Sequence, residues 1–147
     1  MTDYKRERET GDRFSLHDAH IVAMDCDYDS GELRLMPQYG FVDTMTDTMV
    51  EGDVIITGVS PEDSYITIIE YKNVLTGNVG GFVGEKMILV SFLDAFDSKF
   101  NAMDIMSSYH GYMNCIITGF LSRGDETLEI YMDIFYRGDF IYRVREK

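Results

Sequence analysis

The sequence predicts a mainly-β α+β fold: a curved antiparallel sheet or two-layer β-sandwich with one helix at about residues 87–98 and a C-terminal three-stranded meander. Three observations carry this. Apolar and polar residues alternate in stretch after stretch, turn-forming Gly, Asp and Ser punctuate the stretches, and only one segment has helical spacing. A chain of 147 residues fits one domain, spanning 1–147. Residues 1–11 carry charge without periodicity and read as a flexible N-terminal tail.

The first strand pattern runs from His20 to Tyr28, with His20, Val22, Met24, Cys26 and Tyr28 on one face and Asp25 and Asp27 on the other. Glu32 to Met36 alternates too, placing Leu33 and Leu35 opposite Glu32 and Arg34. A two-residue turn at Ser30-Gly31 pairs Asp27 with Arg34 and Cys26 with Leu35. A four-residue loop keeps the same parity. Either way "DCDYDSGELRL" reads as a hairpin.

Next come two β-rich runs, Asp53–Val59 and Tyr65–Tyr71, joined by the turn "SPEDS". The second is apolar on both faces, which predicts a central strand covered on both sides. Thr76–Lys86, "TGNVGGFVGEK", reads as a glycine-rich loop at a sheet edge or over a pocket. Ser91 to Lys99 has a helical stripe of Phe92, Leu93 and Phe96, with Ser91 and Asp94 as a capping box. Ala102–Ser108 reads as strand.

Tyr112–Leu121 and Thr127–Tyr136 then form a hairpin about Gly124-Asp125 that pairs Arg123 with Glu126 and Leu121 with Leu128. A three-residue turn at Arg137–Asp139 leads into alternating Phe140, Tyr142 and Val144, completing the meander. Arg-Gly-Asp therefore occurs twice as turn chemistry, at Arg123–Asp125 and Arg137–Asp139.

Composition narrows the function. Apolar residues make up 45% of the chain, enough to build a core despite its charge. The net charge is −13, and acids interleave the basic clusters at both ends, which argues against nucleic acid and against anionic membranes. No apolar run spans a bilayer. Two cysteines make no disulfide framework and suggest a cytoplasmic setting. The charge favours a basic protein as partner.

Chemical motifs are thin. An EF-hand loop starting at Asp25 would use Asp25, Asp27 and Asp29, but Ser30, Glu32 and Met36 stand where glycine, an aliphatic residue and a glutamate are needed. The three aspartates read as a solvated acidic face. His17 and His20 are three apart and diverge on a strand, so neither metal nor cofactor is expected. "GGFVGEK" matches no phosphate-binding fingerprint. On the outer face of the meander, Tyr131, Phe135 and Ile141, rimmed by Asp133 and Arg143, form a candidate interaction patch for a partner or for a second copy in a homodimer. The resulting expectation is a non-enzymatic, acidic protein-binding or assembly module of inhibitor or immunity type. The alternative is a small-ligand binder or hydrolase with a pocket between sheet and glycine loop, using His20, His110 and Cys115. That alternative requires the three side chains to converge.

Overall fold

The computed structural model describes residues 1–7, 12–72 and 81–146. In chain order the elements are β1 (Thr2–Lys5), β2 (Phe14–Ser15), β3 (His20–Asp27), β4 (Glu32–Pro37), β5 (Phe41–Asp43), β6 (Thr48–Val50) and β7 (Gly52–Ile56). These are followed by β8 (Tyr65–Lys72), β9 (Gly81–Ile88), α1 (Leu89–Lys99), β10 (Ala102–Gly111), β11 (Asn114–Arg123), β12 (Glu126–Phe135) and β13 (Phe140–Val144). Among the described residues the observed class is therefore mainly-β with one helix.

Ten strands make one antiparallel sheet in the order β1-β13-β7-β4-β3-β10-β11-β12-β8-β9, and β2, β5 and β6 make a second, small one. The large sheet has two halves of five strands joined at the β3–β10 seam, where only Ile21 with Met103 and His20 with Asp104 are in register. The inner faces of both halves share one apolar cluster. Leu33, Leu35 and Val54 come from the first half, Ile117, Ile130 and Met132 from the second, and Leu89, Phe92 and Phe96 from α1. Two inner faces packing together bury the alternating apolar residues that the strand period puts on one side.

The β11–β12 hairpin has the expected register, Arg123 with Glu126 and Leu121 with Leu128, and Gly124 supplies the left-handed backbone (φ +59°) that the two-residue turn needs. The third strand of the expected meander goes elsewhere. β13 pairs with β7 and β1, while β12 pairs with β11 and β8. Residues 136–139 bond to a different segment rather than to each other: Arg137 N–H donates to Gly58 O, Gly138 N–H to Thr57 O, and Thr57 N–H to Asp139 O. Gly58 has φ +67°, and a Cβ there would sit 2.6 Å from Gly138 N. The turn is a corner that carries the chain from one half of the sheet to the other.

Several other expectations change. β1 is a paired edge strand, Asp3 opposite Arg143, within the stretch 1–11 where a flexible tail was expected; residues 8–11 of that stretch lie outside the described residues. Its backbone finds partners on β13, which sequence periodicity in four residues does not reveal. β3 carries a bulge between Ile21 and Ala23, so Ile21 and Met24 are buried while Val22 faces out. The β3–β4 loop is the four-residue form: Asp27 lies opposite Glu32, and Asp25 opposite Arg34.

β9 is a full strand on β8 over most of the expected glycine loop, since backbone pairing does not need side chains; Thr76–Gly80 lies outside the described residues. As β8 and β9 end the sheet, β8 is open to solvent on its outer face rather than covered. The helix starts at Leu89, and Ser91 lies inside it without capping. Its first amide is instead satisfied by tertiary structure, Leu89 N–H donating to Ser64 O.

Candidate functional site

The two halves expose very different outer faces. On β10, β11, β12, β8 and β9 the register builds rows: Tyr109–Ile116–Asp133–Tyr65–Ile88, then Ser107–Thr118–Tyr131–Thr67–Lys86, then Phe120–Glu129–Ile69–Gly84, with Tyr71 opposite Phe82 beyond. Tyr65, Tyr71, Phe82, Tyr109, Phe120, Tyr131 and Ile88 are all exposed, Phe82 by 64% and Tyr109 by 62%. Exposed aromatics therefore recur across this face with polar residues between them, and its tyrosine content is the composition of wet protein interfaces.

Several of its polar groups are tied together. The Tyr131 hydroxyl donates to Glu129 Oε1, and the Tyr71 hydroxyl also hydrogen-bonds Glu129. The bond to Glu129 holds the Tyr131 phenol protonated, pushing its pKa up to about 12, and raises that of Tyr71 in the same way. Lys86 Nζ lies 4.8 Å from the Tyr65 ring centroid, a cation–π contact.

The outer face of β1, β13, β7, β4 and β3 is a charge lattice over a small apolar patch. Arg34 Nη2 lies 2.7 Å from Asp53 Oδ2, Arg143 Nε 2.8 Å from Asp3 Oδ1, and Lys5 Nζ 3.3 Å from Asp139 Oδ2. Ile55 and Ile141, adjacent in register between Arg34 and Lys5, are buried in the midst of these charges. Long charged side chains cover apolar neighbours with their stems while keeping their heads in water.

The interaction patch expected from sequence is therefore divided. Tyr131, Asp133 and Phe135 share the outer face of β12, but Ile141 and Arg143 lie on β13 in the other half, Ile141 buried and Arg143 clamped to Asp3. The reason is the corner at residues 136–139. Tyr65, Tyr71, Phe82, Tyr109 and Phe120 were missed. For Tyr65, Tyr71 and Tyr109 the signal was the choice of tyrosine, rather than Val or Leu, on the second face of β8 and β10.

Asp25, Asp27 and Asp29 lie at the β3–β4 tip. The Asp27 carboxylate accepts the backbone N–H of Asp29 at 3.0 Å and of Ser30 at 3.3 Å, so it holds the turn. Asp25 stands opposite Arg34. Among the described residues no group of three or more His, Cys, Asp or Glu is placed to hold a metal ion.

His20, His110 and Cys115 do not converge. His20 is on the outer face, its Nδ1 2.6 Å from Asp104 Oδ1. His110 lies six residues further along β10, about 20 Å away at strand rise. His110 and Cys115 are register partners. The His110 ring is buried edge-to-face against Phe140, and neither nitrogen has a hydrogen-bond partner; Asp12 Oδ2 is 3.9 Å from Nε2. Burial first, and then the Arg6 charge, lower its pKa, with Asp12 partly opposing. Burial pushes the Cys115 thiol up to about 12, so it is no thiolate near neutrality.

A cavity of about 370 Å³ lies between α1 and strands β8 and β9, not between the sheet and a glycine loop as the alternative reading expected. Ile68, Met87 and Phe100 line it, with Glu85, Lys99 and Arg123. None of the three expected pocket residues reaches it. Arg123 is already paired with Glu126 at 2.8 Å and Glu70 at 3.6 Å. Set against family models, curated proteins and solved structures, the chain matches none.

Proposed function

We propose that the chain is a protein-binding module, without turnover of its own, that presents the aromatic outer face of β10–β11–β12–β8–β9 to a protein partner. The observation that carries this is the register-aligned surface of exposed Tyr65, Tyr71, Phe82, Tyr109, Phe120 and Tyr131. A net charge of −13 steers a basic protein toward it, as for an inhibitor or immunity-type protein. Both cysteines are free, and among the described residues no helix is long and apolar enough to cross a membrane, which supports a cytoplasmic setting for the proposal.

The test is affinity capture from native lysate with the wild type and with a Tyr109→Glu/Phe120→Glu variant. A specific protein held by the wild type, released by the variant and weakened by salt is the expected result. A partner that both proteins retain equally sinks the proposal. Light scattering identifies self-association: a mass near 16.9 kDa leaves the face free for another protein, and twice that mass assigns it to a second copy.

The small-ligand reading rests on the cavity beside α1, whose volume suits a small molecule and whose lining mixes apolar Ile68, Met87 and Phe100 with charged Glu85, Lys99 and Arg123. Ala95→Trp fills that cavity, and unchanged ligand-induced thermal shifts in this variant would remove the reading.

A further inference from the structure

We propose that Glu129, hydrogen-bonded by Tyr131 and Tyr71 and with Phe82 packed on Tyr71, is the docking point for an arginine side chain from a basic segment of the partner protein. The inference rests on the binding face proposed above and names the chemistry at its centre.

Glu129 stands on the outer face of β12 beside Ile69 of β8. Its hydrogen bonds come from two neutral donors, the hydroxyls of Tyr131 and Tyr71. Neutral donors orient a carboxylate without cancelling its charge. Among the described residues no cation forms an ion pair with it: Lys86 lies over Tyr65, and Arg123 pairs with Glu126 and Glu70. The opposite half of the sheet shows the contrast, for Asp3, Asp53 and Asp139 there each meet an Arg or Lys.

The walls have the chemistry of a cation site. The Tyr71 and Phe82 rings are 6.2 Å apart between centroids at an interplanar angle of 61°. Such rings present negative π faces to a cation. Gly84, across β8 from Glu129, leaves the floor of the site open, since an added Cβ would find only Ile68 O at 3.9 Å. An arginine suits this arrangement better than a lysine. Its planar guanidinium stacks on a ring while its N–H fork reaches the carboxylate, whereas an ammonium is a compact, strongly hydrated point charge.

The test titrates the full chain, isotope-labelled, with a tetra-arginine peptide at low salt and follows backbone amide shifts. The largest shifts are expected at Tyr71, Phe82, Glu129 and Tyr131, with tetra-lysine binding more weakly. Glu129→Gln keeps the tyrosine hydrogen bonds and should weaken binding about fivefold, as should Phe82→Ala, while Asp25→Asn/Asp27→Asn has no effect. Shifts centred on Asp25–Glu32, or an unchanged affinity in Glu129→Gln, overturn the inference. If a captured protein depends on Tyr109 and Phe120 but not on Glu129, the docking chemistry is wrong and the binding face stands.

Discussion

The two outer faces of this sheet differ in what happens to charge. On β1–β13–β7–β4–β3 the carboxylates of Asp3, Asp53 and Asp139 are paired within the chain, and the apolar residues Ile55 and Ile141 are buried among them. On β10–β11–β12–β8–β9 the aromatics are bare and Glu129 is held by hydroxyls alone. A face that satisfies itself has little to offer a partner. One that leaves rings exposed and a carboxylate without a cation is the face that the proposed partner would complete.

Substitutions at matching places on the two faces test this difference. The largest effect is expected at Ile55, which is 1% exposed. Ile55→Ala should cost about 2–4 kcal/mol in denaturant unfolding without weakening capture of a partner. Next is Asp53, buried against Arg34 and Arg145. Asp53→Ala removes the anion between two cations and should cost about 1–3 kcal/mol. If either change leaves stability untouched, the first face is not the closed lattice described here.

The space between the faces supplies a pH test. The buried His110 has its pKa lowered in the folded state, so the unfolded chain binds the proton more readily. Its contribution is intact above about pH 6.5 and is lost as pH falls below that value, toward a limiting slope of about 1.4 kcal/mol per pH unit for one proton. His110→Phe should flatten the unfolding free energy between pH 6.5 and 5 relative to the wild type. A parallel decline in both would assign the acid sensitivity to other groups.

The smallest effect on stability belongs to the second face. Tyr109→Ala, at an exposed site, should change unfolding by no more than about 0.5 kcal/mol while reducing partner capture. A large loss of stability there would mean that the ring is packed for folding rather than displayed for binding.

How much of this was legible follows from distance along the chain. Turn and alternation are local, so the β11–β12 register and the inner positions Leu128, Ile130, Met132 and Ile134 could be read directly. The parity of the β3–β4 hairpin was readable too, while its loop length was left between two forms. The candidate patch was half legible. Tyr131, Asp133 and Phe135 were placed on one face correctly, but Ile141 and Arg143 were joined to them by assuming that the residue 136–139 turn reverses the chain beside β12.

Taken alone, the amino-acid order determined that this chain is mostly strands, where its best hairpins turn, and which side of β12 is greasy throughout. Those properties depend on steric and solvation preferences of residues within a few positions of one another. Tertiary structure alone decided that β13 crosses to β7, that Thr2–Lys5 closes one edge, and that the second face of β8 stays in water. An apolar side chain has the same identity whether covered or bare, and only the packing of distant strands determines which it will be.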